Sequence, residues 1–155
     1  MAPRNLFIAM VLTVASVIML GAQARATEPA QSVLDNTIWT LALIEGEPPV
    51  EGRGDLDLQF ADDGAFAVGF GCNRFRGRAE IGDAQIAFPD QIAGTMMACA
   101  EAVAAQEERV LALLAAVATF RVEPASLTLM DEAGTEMLRY VRTVQTDATK
   151  VDTSG

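Results

Sequence analysis

Hydrophobic and polar positions divide the chain into short blocks with a period of two and one block with a helical period. Ile38-Trp39-Thr40-Leu41-Ala42-Leu43-Ile44 is apolar and β-prone, and it ends at Glu45-Gly46-Glu47-Pro48-Pro49, where prolines and glycine forbid a continued ladder. This predicts a first strand. Leu56, Leu58 and Phe60 alternate with Asp55, Asp57 and Gln59, and Asp62-Asp63-Gly64 marks the turn that follows. Phe66, Val68, Phe70 and Cys72 repeat the alternation as the second arm of a hairpin, which places Cys72 on the core side. Asn73-Arg74-Phe75-Arg76-Gly77-Arg78 reads as an interruption carrying three arginines. Short strands are expected around Ala79 to Ile81 and at Gln85 to Phe88, with Pro89 closing the second.

Ala100 to Ala118 is rich in Ala, Glu and Leu and lacks Gly and Pro, which predicts a helix. At 100° per residue, Val103, Val110, Leu111, Leu114 and Val117 share one arc, and Glu107 falls among them. Phe120 to Glu123, Leu127 to Met130 and Glu136 to Val141, separated by turn residues, predict a terminal antiparallel meander. The fold class is therefore α+β, an antiparallel, strongly curved or barrel-like β-sheet with one main α-helix. Thr27 to Asp35 is polar and Pro-containing, with little to bury. We place a linker at residues 27–33, the domain at 34–142 and a disordered tail at 143–155.

The amino terminus changes the compartment. Arg4, an apolar or small run from Leu6 to Leu20, and small residues at alternate positions up to Ala26 have the layout of a signal peptide over residues 1–26. Cleavage is expected after Ala24 or Ala26. Fifteen apolar residues are short of the roughly twenty that span a bilayer, so no stable membrane insertion is expected after cleavage. No cysteine is placed for lipid attachment, and a soluble periplasmic or secreted protein is the consequence.

Charge and composition then exclude chemistries. The 155 residues carry 21 acidic and 11 basic side chains, a net charge of −10. Loss of Arg4 and Arg25 with the leader leaves 9 against 21, or −12. Such a field repels nucleic acid. The chain has no histidine, which removes the commonest general base and metal ligand. There is no Gly-rich phosphate loop, HExxH or Gly-x-Ser-x-Gly pattern. Asp55, Asp57, Asp62 and Asp63 lack the spacing of a calcium loop, and Arg53-Gly54-Asp55 is too short to carry weight. No cofactor, metal or catalytic residue is assigned.

Two features remain. Cys72 and Cys99 form either one disulfide or two buried thiols; as a disulfide, their 27-residue separation is equivalent to about 3.6 kcal/mol of denatured-state entropy. Glu107 either reaches inward to an arginine or backbone amides, with Arg74, Arg76 and Arg78 as the obvious donors, or sits at the edge of the face with its head in water.

Trp39-Thr40-Leu41, Gly71-Cys72-Asn73-Arg74-Phe75-x-Gly77, Thr95-Met96-Met97-Ala98-Cys99, Glu107-x-x-Val110-Leu111-x-x-Leu114 and Leu127-x-Leu129-x-Asp131 occur in that order. Together they resemble the META domain (HslJ-like) family of small bacterial envelope proteins, over about residues 34–142. The resemblance implies a β-rich domain with one helix, an association with heat shock, novobiocin tolerance or virulence, and no established reaction. It implies that Trp39, Gly71, Asn73, Gly77, Thr95 and Glu107, with Cys72 and Cys99, lock the junction of sheet and helix. Two departures are the missing lipoprotein cysteine and Val110, where an aromatic is common. We expect a non-enzymatic monomer; the alternative is a module presenting Arg74, Phe75 and Arg76 to a protein partner.

Overall fold

The computed structural model describes residues 33–143. The expected leader, most of the linker and the tail beyond Thr143 lie outside the described residues.

Among the described residues, ten strands, a short 3-10 helix (Asp62–Gly64, between β2 and β3) and one long α-helix follow one another: β1 (Thr37–Ile44), β2 (Asp57–Phe60), β3 (Ala65–Gly69), β4 (Arg74–Arg78), β5 (Glu80–Ile81), β6 (Ile86–Ala87), β7 (Ala93–Gly94), α1 (Glu101–Ala116), β8 (Thr119–Val122), β9 (Ser126–Met130) and β10 (Glu136–Arg142). The α+β class stands. Eight strands form one antiparallel sheet in the order β7-β4-β3-β2-β1-β10-β9-β8, and β5 and β6 form a separate ribbon. The sheet is not closed into a barrel. The ribbon instead touches the β8 edge, where Phe120 donates to the Ala84 carbonyl and Ile86 to that of Ala118.

Register explains the core. Trp39 faces Leu58, Leu58 faces Val68, and Val68 faces Phe75, so one row of inward side chains crosses four strands. Leu41 faces Tyr140, and Tyr140 faces Leu127, which continues the apolar face into the meander. Val110, Leu114 and Val117 pack into the same cluster as these strand residues. The helix thus covers the face that the period-two pattern leaves apolar.

Three details depart from the sequence reading. Arg74 to Arg78 is strand β4 and not an interruption, with its arginines alternating around Phe75 and Gly77. Leu34 is fully buried in the core, so burial begins within the segment read as having little to bury. Thr143 donates to the Ile38 carbonyl, which extends the β10 edge one residue past the expected domain end.

Tyr140 is completely buried, and its hydroxyl has no partner among the described residues. Burial pushes its phenol well above the usual range, with the nearby Asp57 charge adding to the effect.

Candidate functional site

The residues that share the helix arc with Val103 and Val110 include two polar ones, Gln106 and Glu107, both buried. Buried polar groups need partners, and each of these fastens a different loop. Gln106 donates from Nε2 to the carbonyls of Val50 and Phe70, at 3.0 and 2.9 Å, and accepts from the Val50 amide. The loop before β2 and the end of β3 are thereby tied to α1.

Glu107 reaches Asn73. The Asn73 amide donates to Glu107 Oε1, and Asn73 Nδ2 donates to Oε2 at 2.8 Å. The backbone-amide alternative is therefore met, and the arginine one is not. Asn73 Oδ1 accepts from Thr95 Oγ1 at 2.9 Å and from the Met97 amide at 2.8 Å. Thr95 also pairs with Arg74 through backbone and side chain, at 3.1 Å each. One asparagine thus joins the start of β4, the segment before α1 and the helix itself.

A covalent bond runs beside this network. Cys72 and Cys99 form a disulfide with Cα atoms 6.0 Å apart. Both sulfurs and a carboxylate oxygen of Glu107 lie within 4.8 Å of one another. Such a cluster suits a metal ion when the sulfurs are thiolates; here they are bonded to each other, and Asn73 Nδ2 lies 3.2 Å from the Cys99 sulfur.

Glycines let the loops approach. Gly71 has φ +106°, a left-handed conformation that L side chains rarely adopt, and a Cβ on Gly52 would lie 1.9 Å from the Gly71 carbonyl oxygen. At Gly77 a Cβ would come within 2.9 Å of the Phe66 ring, which accounts for glycine in mid-strand. Trp39 is fully buried, donates from Nε1 to Thr37 Oγ1 at 2.7 Å, and carries the Arg142 guanidinium 4.3 Å above its ring. It belongs to the core row with Leu58, Val68 and Phe75.

The three residues proposed as a presented surface separate. Phe75 is half-buried and stacks near Phe70, ring centroids 5.9 Å apart, so it is not presented. Arg74 binds Asp57 through two nitrogens, at 2.8 and 3.2 Å, with Asp55 at 3.5 Å. The hydrogen bond to Asp57 raises its already high pKa, outweighing the effect of partial burial. Arg76 is exposed and has no hydrogen-bond or ion-pair partner among the described residues. It faces Ala67 in register, and Ala67 faces Gln59, which faces Ile38. These residues, with Ala65 and Asn36, line a shallow cavity of about 450 Å³ on the outer face of the sheet.

The missed residues left a signal. Gln106 lies on the same helical arc that singles out Glu107, and Val50 follows the turn prolines whose loop it anchors. No helix among the described residues is long and apolar enough to cross a membrane.

A family model described as META domain matches residues 32–144. Two solved NMR structures share the fold. One, of a protein from Burkholderia xenovorans, is 22% identical, with a TM-score of 0.60 over 75% of this chain and 88% of that one. The other is 20% identical, with a TM-score of 0.58 over 72% of this chain and 92% of that one. Comparison with curated proteins finds no match.

Proposed function

The chain belongs to the META domain family, and from that premise we propose that it is a non-enzymatic exported protein of the bacterial cell envelope, contributing as a monomer to stress response or novobiocin-type tolerance. One observation carries the non-enzymatic reading. Glu107, the buried acid of the helix face, has both oxygens taken up by Asn73, and the neighbouring sulfurs are joined to each other. A general acid or base needs an open path to substrate, and a nucleophilic sulfur must be free. Neither condition is met at this junction. Export is supported by the disulfide, which persists in oxidising compartments, and by the apolar leader-like segment.

The test has two readings. Mass spectrometry of the protein from the envelope fraction is expected to find a new amino terminus after Ala24 or Ala26. A strain lacking the protein is expected to stop growing at a lower novobiocin concentration, or after milder heating, than its parent. Full-length protein in the cytoplasm, with growth unchanged under both stresses, overturns the proposal.

A second reading, a module that binds a protein partner, is favoured by Arg76, which stands outward without a partner among the described residues, in an acidic protein. Arg76→Ala is expected to leave stability within about 0.5 kcal/mol, as surface changes do. Arg74→Ala should cost about 1 kcal/mol through loss of the Asp57 pair. Loss of a co-purifying envelope protein in Arg76→Ala, at unchanged melting temperature, supports this reading; retention of every partner removes it.

A further inference from the structure

Methionine usually fills cores, and its thioether reacts with two-electron oxidants when it is exposed. In this domain the four methionines divide sharply. Met130 and Met137 are half-buried strand residues, and Met137 packs against the hydrophobic core. Met96 and Met97 are 95% and 56% exposed, adjacent in sequence, and stand in the segment between β7 and α1.

That segment is not loose. The Met97 amide donates to Asn73 Oδ1, Thr95 bonds both Asn73 and Arg74, the Arg53 guanidinium donates to the Ala98 carbonyl at 3.1 Å, and Cys99 is covalently tied to Cys72. Backbone and neighbours are fixed, and none of these bonds uses the side chain of Met96 or Met97. A polar oxygen added to either sulfur therefore meets water and leaves the core undisturbed. The same change at Met137 would put a polar group into packed apolar surroundings.

We propose that Met96 and Met97 form a sacrificial oxidation site for hypochlorous acid and similar two-electron oxidants. The balance is simple. The thioether sulfur loses two electrons and gains the oxygen, giving the sulfoxide, while the chlorine is reduced and leaves as chloride with one proton. The reverse step takes two thiols from a dithiol reductant of the methionine sulfoxide reductase class, forming a disulfide and releasing water. Exposure of both residues gives such an enzyme access without unfolding the domain. The inference rests on exposure and thioether chemistry alone, and it holds or fails whatever becomes of the envelope role.

The experiment treats the purified protein with increasing hypochlorite and maps each methionine by mass spectrometry, with the melting temperature followed in parallel. Met96 and Met97 are expected to take the first two equivalents, about tenfold faster than Met130 and Met137, in keeping with exposure. The melting temperature should stay unchanged through those two equivalents and return of the thioethers should follow addition of the reductase. In the double variant Met96→Leu, Met97→Leu, the same two equivalents should reach Met137 and lower the melting temperature. Comparable oxidation of all four methionines overturns the proposal, as does a fall in melting temperature on the first two equivalents or a double variant whose Met137 is no more oxidised than before.

Discussion

Replacing Asn73 by alanine is expected to destabilise the domain by about 3–4 kcal/mol, the sum of one hydrogen bond to a charged group and two neutral ones in a buried site. The side chain donates to Glu107 Oε2 and accepts from Thr95 Oγ1 and the Met97 amide, all at 2.8–2.9 Å. Truncation leaves Glu107 buried with the Asn73 amide as its remaining donor, and an undercompensated buried carboxylate is costly. For a domain of this size the melting temperature should fall by about 15 °C or more. Urea unfolding checks the figure; a loss below about 1 kcal/mol would show that water replaces the side chain at little cost.

Glu107→Gln sharpens the same point. Its carbonyl oxygen could still accept from the Asn73 amide, but its amino group would then meet Asn73 Nδ2, donor against donor. Turning Asn73 over would relieve that clash and set its own amino group against Thr95 and the Met97 amide. Removing the charge alone therefore should not rescue the site. A Glu107→Gln protein as stable as the parent would mean that the hydrogen-bond directions are not what makes this junction rigid.

The difference between what was legible in the sequence and what was not lies in facing and pairing. Period-two alternation placed β2 and β3, and helical spacing placed α1 and brought Glu107 onto its apolar arc. Both signals depend on one chain segment at a time. The partner of Glu107 depends on two. Arg74, Arg76 and Arg78 are near in sequence to Asn73, yet β4 turns its arginines outward and Phe75 inward, in the row with Val68, Leu58 and Trp39. Charge composition favoured an arginine; strand alternation excluded it. Similarly β7 has two residues, and its existence depends on Gly94 lying opposite Phe75, where a Cβ would come within 2.3 Å of the ring. Leu34 was hidden for a different reason, since the single apolar pair Val33-Leu34 between polar residues has no period.

Removing the disulfide, by Cys72→Ala with Cys99→Ala, is expected to cost about 3.6 kcal/mol, the loop-closure entropy of a chain cross-linked over 27 residues. In the chain-entropy account this cost falls on the unfolded state. The native Asn73 network then survives the substitution, because the Asn73 contacts to Glu107, Thr95 and Met97 do not pass through the sulfurs. Two measurements separate this from a native-state role. The denaturant slope should rise, since an uncross-linked unfolded chain exposes more surface. The Met97 amide should keep slow hydrogen exchange, limited by global unfolding, because Asn73 Oδ1 still accepts from it. If the slope is unchanged and the Met97 amide exchanges quickly while the rest of the sheet stays protected, the bond acts in the folded protein instead. It would then be the tie that holds the segment before α1 against β4, with Asn73 able to form its network only when that tie is present.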